Sequence, residues 1–195
     1  MNKTLYHLLA AAALALAAPA QASIVDFDAL NADASLSSLE DFNPYAGLTW
    51  SQWFLGDTGV EGYDNAAHSG SNYVMNGYGV DALEVASASA FHFTGAWFVA
   101  PNINGARASW VNISAYDSAD GLIGSTGNIA IDTSYRWVAA DFANATRLVV
   151  SRDEGFFAMD DVTFASASPV PEPATVTLFG AGALGLCLWR RQRRA

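Results

Sequence analysis

The sequence predicts an all-β protein: an antiparallel β-sandwich, jelly-roll-like, with about eight or nine strands. Three observations lead there. Between Ser23 and Pro169 the apolar runs are short and are punctuated throughout by Gly, Ser, Asn and Asp, the residues that make turns. The runs recur at roughly 8–15-residue spacing with no long helical period between them, which argues against βαβ units and a parallel sheet. The segment is also roughly 147 residues long, enough for one domain that buries about two thirds of its unfolded surface. The single cysteine, Cys187, lies outside it, so no disulfide supports the domain and the core must hold it.

Taken in order, Met1 to Ala22 stands apart from the fold. Lys3 precedes an apolar stretch from Leu8 to Ala18, and Ala20-Gln21-Ala22 comes just before Ser23. This is the pattern of a secretory signal peptide with a small-residue cleavage site, residues 1–22. The domain follows as residues 23–169. Strands are expected at Ile24–Phe27, Gly47–Phe54, Asn72–Met75, Ala90–Val99, Ala108–Tyr116, Leu122–Ile131, Trp137–Phe142, Arg147–Ser151 and Phe156–Phe164, short runs bounded by turn residues. Ala29–Glu40 is the stretch best suited to a short helix. Within Gly47–Phe54, Trp50 and Trp53 are three apart, so they face opposite sides and one is free to be exposed. Asp117-Ser118-Ala119-Asp120-Gly121 reads as a tight turn between two strands. Ala165–Pro169 is a short spacer.

Residues 170–195 have a different build. Pro171 and Pro173 flank Glu172, Ala174 to Trp189 carries no charge, and Arg190, Arg191, Arg193 and Arg194 crowd the end. The prolines fix φ and remove backbone donors, so no helix runs in from the domain. An apolar segment in lipid satisfies its backbone only as a helix, and terminal arginines hold that end in the cytoplasm. At ~1.5 Å per residue this helix spans about 24 Å, less than a ~30 Å hydrocarbon core. Gly180, Gly182 and Gly185 weaken it further. The segment resembles the PEP-CTERM protein-sorting signal, in which a Pro-Glu-Pro motif, one transmembrane helix and an Arg-rich terminus follow in that order. The resemblance implies export in a Gram-negative bacterium that makes extracellular polysaccharide. It also implies an inner-membrane-tethered precursor that an exosortase processes near the motif and delivers to the cell surface or extracellular matrix. An ordinary tail anchor is the alternative.

Charge narrows the partners. Residues 23–169 hold four arginines, Arg107, Arg136, Arg147 and Arg152, against eighteen acids, a formal charge of −14 where the whole chain has −10. A lysine-free acidic surface repels nucleic acid and anionic headgroups. Nucleic acid is thereby excluded as a partner, while cations such as Ca²⁺ are tolerated or attracted.

Three stretches, Ile113 to Gly121, Arg147 to Arg152 and Phe157 to Phe164, resemble exported β-sandwich domains of the carbohydrate-binding-module type. That resemblance implies an aspartate-containing last strand paired near the N-terminal strand, here Val25-Asp26-Phe27-Asp28. It names no ligand.

Two constellations are candidate sites. Strand alternation puts Met159, Asp161 and Thr163 on one face and Asp160, Val162 and Phe164 on the other, so one aspartate points to a buried side, where an uncompensated charge is costly. A cation or a set of backbone donors relieves that cost. With Asp26 and Asp28 nearby, Asp160 and Asp161 make a candidate structural Ca²⁺ site; otherwise these acids cap a strand end or lie in solvent. The second constellation is Trp110, Asn112 and Tyr116, with Ser114, on the face of one strand opposite Val111, Ile113 and Ala115. Rings interleaved with amide and hydroxyl groups suit sugar recognition. The same rings, like Trp97, equally suit filling an interface between sheets.

Catalytic signatures are missing. Asp153/Glu154 and Asp160/Asp161 are adjacent pairs, which gives no two-sided carboxylate geometry. No G-x-S-x-G elbow, phosphate loop, zinc spacing or dinucleotide fingerprint is present. His68 sits in a loop-like stretch. The sequence therefore predicts an exported, non-catalytic protein that binds or organises exopolysaccharide. The alternatives are a secreted hydrolase acting on that polysaccharide and a purely structural surface protein.

Overall fold

The computed structural model describes residues 22–33, 35–77 and 82–166. The signal peptide, the Pro171-Glu172-Pro173 motif, the apolar helix and Arg190, Arg191, Arg193 and Arg194 lie outside the described residues. Among the described residues no helix is long and apolar enough to cross a membrane.

Strands account for nearly all of the regular structure. In order they are β1 (Ala22–Val25), β2 (Ser37–Ser38), β3 (Thr49–Ser51), β4 (Trp53–Asp57), β5 (Asn72–Asn76), β6 (Ala82–Val99), β7 (Trp110–Tyr116), β8 (Leu122–Ser125), β9 (Ile129–Ala130), β10 (Arg136–Arg152) and β11 (Ala158–Ser166), with one 3₁₀ turn at Leu39–Phe42. The hydrogen-bonded path runs β2-β4-β5-β11-β6-β10-β7-β8, with β1 on β11, β3 on β6 and β9 on β7.

Two long strands make this path a sandwich. β6 and β10 pair along their whole length, from Arg136↔Phe98 to Ser151↔Ala82, with register shifts between Ala139 and Arg147. Beyond the shifts they join different neighbours. The half of β6 from Phe91 to Val99 pairs with β11, whereas Glu84 to Ala86 pair with β3. On β10, Arg147 to Arg152 pair with β7. One layer thus holds β1, β4, β5, β11 and one end of the ribbon; the second holds β3, β7, β8, β9 and the other end. Both send apolar side chains into one core, among them Phe93, Phe98, Met159 and Val162 from the first and Trp50, Val85, Val111, Ile113 and Val150 from the second. The expected antiparallel, jelly-roll-like sandwich is what forms.

Several local readings need correction. Trp137–Phe142 and Arg147–Ser151 are parts of the single strand β10. Gly47–Phe54 breaks at Gln52, whose φ of 67° lies in the left-handed region. The break sends β3 and β4 to different partners, so Trp50 and Trp53 are both fully buried instead of facing opposite sides. The stretch Ala29–Glu40 forms no α-helix; it ends in β2 and the start of the 3₁₀ turn.

The N-terminal strand lies where the second resemblance implies. β1 runs antiparallel to β11, with Val25 opposite Val162 and Ala22 opposite Ala165. The turn at Asp117–Gly121 also forms: the Asp117 carboxylate accepts from the backbone N–H groups of Ala119 (2.9 Å) and Gly121 (2.8 Å).

A second, smaller core covers the outside of the first layer. All five residues of β5 are buried because both of its faces are covered. Val74 faces the main core, while Tyr73 and Met75 pack with Tyr63, Ala66, Ala67, Val99 and Ala158. The cover is the connection between β4 and β5, which folds through successive turns closed by Val60 N–H to Asp57 C=O, Tyr63 N–H to Val60 C=O and Ala66 N–H to Tyr63 C=O, each 3.0 Å. Asn72 fastens its return: the side-chain amide donates to the carbonyls of Phe27 (3.0 Å) and Leu30 (2.7 Å). Asp28 accepts from the N–H groups of Ser71 and Asn72.

Candidate functional site

The outer face of the second layer carries the residues the sequence singles out. Along β7 the side chains of Val111, Ile113 and Ala115 are fully buried, and Trp110, Asn112, Ser114 and Tyr116 are half-buried on the opposite face. Alternation along a regular strand accounts for this division. Across the sheet, Ser51 stands beside Glu84, Glu84 beside Val149, Val149 beside Ser114 and Ser114 beside Ser125. Tyr116 pairs with Arg147, whose guanidinium lies 4.2 Å from the centre of the tyrosine ring, a cation–π contact.

That guanidinium is held on two sides. Glu84 bonds Nη1 at 3.1 Å and the Asp120 carboxylate bonds Nη2. The Asp120 bond raises the Arg147 pKa above its ordinary value, although partial burial pulls the other way. Asn112 is similarly engaged: its Oδ1 accepts from the Ser125 hydroxyl at 2.8 Å and its Nδ2 donates to Asn128 at 3.2 Å. The face therefore offers guanidinium, carboxylate, amide and hydroxyl groups at fixed positions between two partly exposed rings. It is suited to hydrogen bonding with a polyhydroxy ligand.

The aspartates are placed differently from the sequence reading. Alternation fails at Asp161, where φ is 48° and a bulge adds one residue between the pairs Asp160↔Trp97 and Thr163↔Gly95. Met159, Val162 and Phe164 consequently all reach the main core, and Asp160 points to the outer side beneath the β4–β5 connection. There it is 1% exposed and is met by backbone donors: the N–H groups of His68 (2.8 Å) and Ser69 (3.0 Å) on Oδ2, and that of Asp161 (2.7 Å) on Oδ1. Burial nevertheless pushes its pKa up to about 7, with the neighbouring Asp161 carboxylate adding to the shift and the three donors opposing it.

Asp161 takes the His68 imidazole Nδ1 at 2.6 Å and the Ser69 hydroxyl at 2.7 Å. Asp26 accepts from the N–H of Asp28, and Asp28 from Ser71 and Asn72. Among the described residues no group of three or more His, Cys, Asp or Glu side chains is arranged to hold a metal ion. Of the two remedies for the buried charge, backbone donors are in place at Asp160.

The sequence did not point to a second aromatic group. Asp160, Trp97 and Trp137 are lateral neighbours across β11, β6 and β10. The His68 ring stacks on Trp97 at 4.0 Å with planes 10° apart, and Trp97 meets Trp137 edge-on at 5.6 Å. Tyr135 approaches His68 edge-on and donates its hydroxyl to the Ala67 carbonyl. Burial, then the Asp160 and Asp64 carboxylates, raises the Tyr135 pKa, which keeps that donor protonated. Only the odd–even match of Trp97 and Trp137 on paired strands could have signalled the group, and the pairing was not legible. A cavity of about 370 Å³ beside the second core, lined by Phe54, Tyr63, Met75 and Phe156, has polar walls at Glu61 and Asn104.

Residues 169–193 match the PEP-CTERM protein-sorting motif. No curated protein matches the chain. Among solved structures, a DUF4465 family protein from Bacteroides caccae aligns at 14% identity and TM-score 0.52, covering 75% of this chain and 99% of that one. The C-terminal family 22 carbohydrate-binding module of Clostridium thermocellum Xyn10B aligns at 15% identity and TM-score 0.43, covering 77% and 95%. The CBM22-1 xylan-binding domain of Paenibacillus barcinonensis Xyn10C aligns at 8% identity and TM-score 0.43, covering 78% and 100%. Likeness at such identities extends to the fold and to no ligand. The chain is a β-sandwich domain followed by a PEP-CTERM protein-sorting motif at residues 169–193.

Proposed function

We propose that this protein is exported in a Gram-negative bacterium, handed to an exosortase through its sorting motif and delivered to the cell surface or matrix, where the sandwich binds exopolysaccharide without catalysis. The observation that supports binding is the outer face of β7, where Trp110, Asn112 and Tyr116 share one side with Ser114, Arg147 and Glu84. Sugars present hydroxyl groups around apolar C–H faces, and this face pairs fixed polar groups with half-buried rings. Full burial of Trp110 and Tyr116 would favour the purely structural alternative; both are half-buried, which supports the binding reading. The PEP-CTERM match supports the destination.

Two measurements test the reading. The mature protein isolated from cells with the processing enzyme should be lighter than that from cells lacking it, by the mass of the tail. Full-length protein in detergent should bind a matrix exopolysaccharide in affinity electrophoresis, and Trp110→Ala or Asn112→Ala should weaken binding about tenfold, the loss of one ring or hydrogen-bond contact. Wild-type affinity in both variants would remove this face as the site. Turnover of the glycan would replace binding with hydrolysis.

A further inference from the structure

The outer face of the first layer carries a second aromatic surface with its own construction. Tyr135 and Trp137 are the aromatic side chains among the exposed large hydrophobics of the described residues, 40% and 37% exposed. They stand two residues apart, Tyr135 just before β10 and Trp137 at its second position, about 6.6 Å of extended chain. Both contact the same His68–Trp97 pair, so they share one side.

Single exposed rings are ordinary on protein surfaces, but these are fixed in place. Gly95 lies against Trp137, and a Cβ there would come within 2.5 Å of the indole. The missing side chain lets the ring lie against the backbone of β6 with its outer side in solvent. Trp97 braces one edge, and His68, held by Asp161, covers Trp97. The Tyr135 hydroxyl is tied to the Ala67 carbonyl. Next to Tyr135 opens a cleft of about 290 Å³ whose walls include Asp132, Ser134 and Arg136.

We propose that Tyr135 and Trp137 form a second glycan platform, taking the C–H face of a neutral pyranose while Asp132, Ser134 and Arg136 meet its hydroxyls, so that the domain is bivalent. This rests on the reading that the domain binds glycan at all. The chemistry of the patch selects the ligand class. Two rings, of which Tyr135 borders a cleft with carboxylate, hydroxyl and guanidinium groups, are small for a protein partner, whose interfaces need roughly 800 Å² per side. A nucleobase stacks on indole as well as a sugar does, but its phosphates meet a domain charge of −14. A neutral sugar carries no such penalty. The two platforms lie on opposite outer faces of the sandwich, and one domain can therefore hold two polysaccharide strands together, with the gain in avidity that linked sites give.

Isothermal titration of the full-length chain in detergent, with cello-, xylo- and mannohexaose as probes, separates the outcomes. The wild type should bind the accepted hexasaccharide at two sites per chain. Trp137→Ala and Trp110→Ala should each leave one site, and the double variant should bind at least thirtyfold more weakly. Tyr135→Phe keeps the ring and should retain two sites; near-ultraviolet circular dichroism confirms that each variant is folded. One site in both the wild type and Trp137→Ala overturns the second platform and leaves the β7 face standing. Loss of all binding in Trp137→Ala alone leaves Tyr135 and Trp137 as a single platform, which overturns bivalence and refutes the β7 face. No binding by the wild type to any probe refutes both.

Discussion

The two outer faces of this sandwich solve the same problem differently. Both expose polar residues on a sheet whose other side is fully apolar. On the second layer the face is open, and its polar groups answer one another: Asn112 with Ser125, Arg147 with Glu84 and Asp120. On the first layer the β4–β5 connection lies over the sheet, and the buried polar side chains bond to backbone: Asp160 to His68 and Ser69 of the connection, Asn72 to Phe27 and Leu30. Water can replace any bond lost on the open face. Under the cover it cannot, so each lost partner leaves a buried group unsatisfied. The covered face should be costly to disturb and rigid, and the open face cheap to disturb.

Asn72 gives this contrast its sharpest test. It is 5% exposed, and its amide is the donor for both the Phe27 and Leu30 carbonyls. Replacement by alanine removes both bonds without supplying water, at a cost of about 2–4 kcal/mol. Urea denaturation of Asn72→Ala should show that loss, and limited proteolysis should first cut between residues 58 and 71, before the sheet unfolds. The matching change on the open face, Ser114→Ala, should stay within about 0.5 kcal/mol. Equal losses for the two variants would erase the distinction between the faces.

Asp160 sharpens the comparison through pH. Its folded pKa is about 7, against about 3.9 for an unfolded aspartate. Between those values the folded chain holds the extra proton, so stability falls as pH rises. The favourable contribution is complete below pH ~4 and gone above pH ~7. Its upper bound is about 4 kcal/mol, from three pKa units at 1.36 kcal/mol each. Repulsion among the other acids adds a slope of the same sign in every variant. The readout is therefore a difference: Tm should fall more between pH 5 and pH 8 in the wild type than in Asp160→Asn. Parallel slopes would show that the cover leaves Asp160 well solvated.

How far the sequence foretold these two faces follows from the regularity of each strand. β7 has no bulge between Trp110 and Ala115, so simple alternation placed Trp110, Asn112 and Tyr116 together on the outer side. β11 contains the Asp161 bulge, a one-residue insertion that reverses every face assignment beyond it. One of the two aspartates was expected to be buried and Asp160 is the one, but Val162 and Phe164, placed on its face by alternation, lie on the opposite side. Trp50 and Trp53 were misread for a related reason: the left-handed turn at Gln52, bonded to Glu40 through its N–H, separates two strands that read as one. The stacking of His68 on Trp97 joins residues 29 positions apart, and no local pattern reports it. Alternation is legible until the backbone departs from it, and the covered face is where it departs.

Arg147 should give the smallest effect. It is the best-connected residue of the open face, with Glu84, Asp120 and the Tyr116 ring as partners. Contact number alone would make it more important to the fold than Asn72. Its partners remain in water, however: the Asp120 side chain is 74% exposed and that of Glu84 42%. Exposed ion pairs contribute about 0–1 kcal/mol, and the cation–π contact about 0.5–1 kcal/mol. Arg147→Ala should accordingly lower stability by only about 1 kcal/mol, part of it screened in 0.5 M NaCl. Glycan affinity should respond more strongly than stability, because removal uncovers the Tyr116 ring and deletes a fixed donor in one step. A stability loss as large as that of Asn72→Ala would show that the open face is structural after all, with its polar network holding the sheet together.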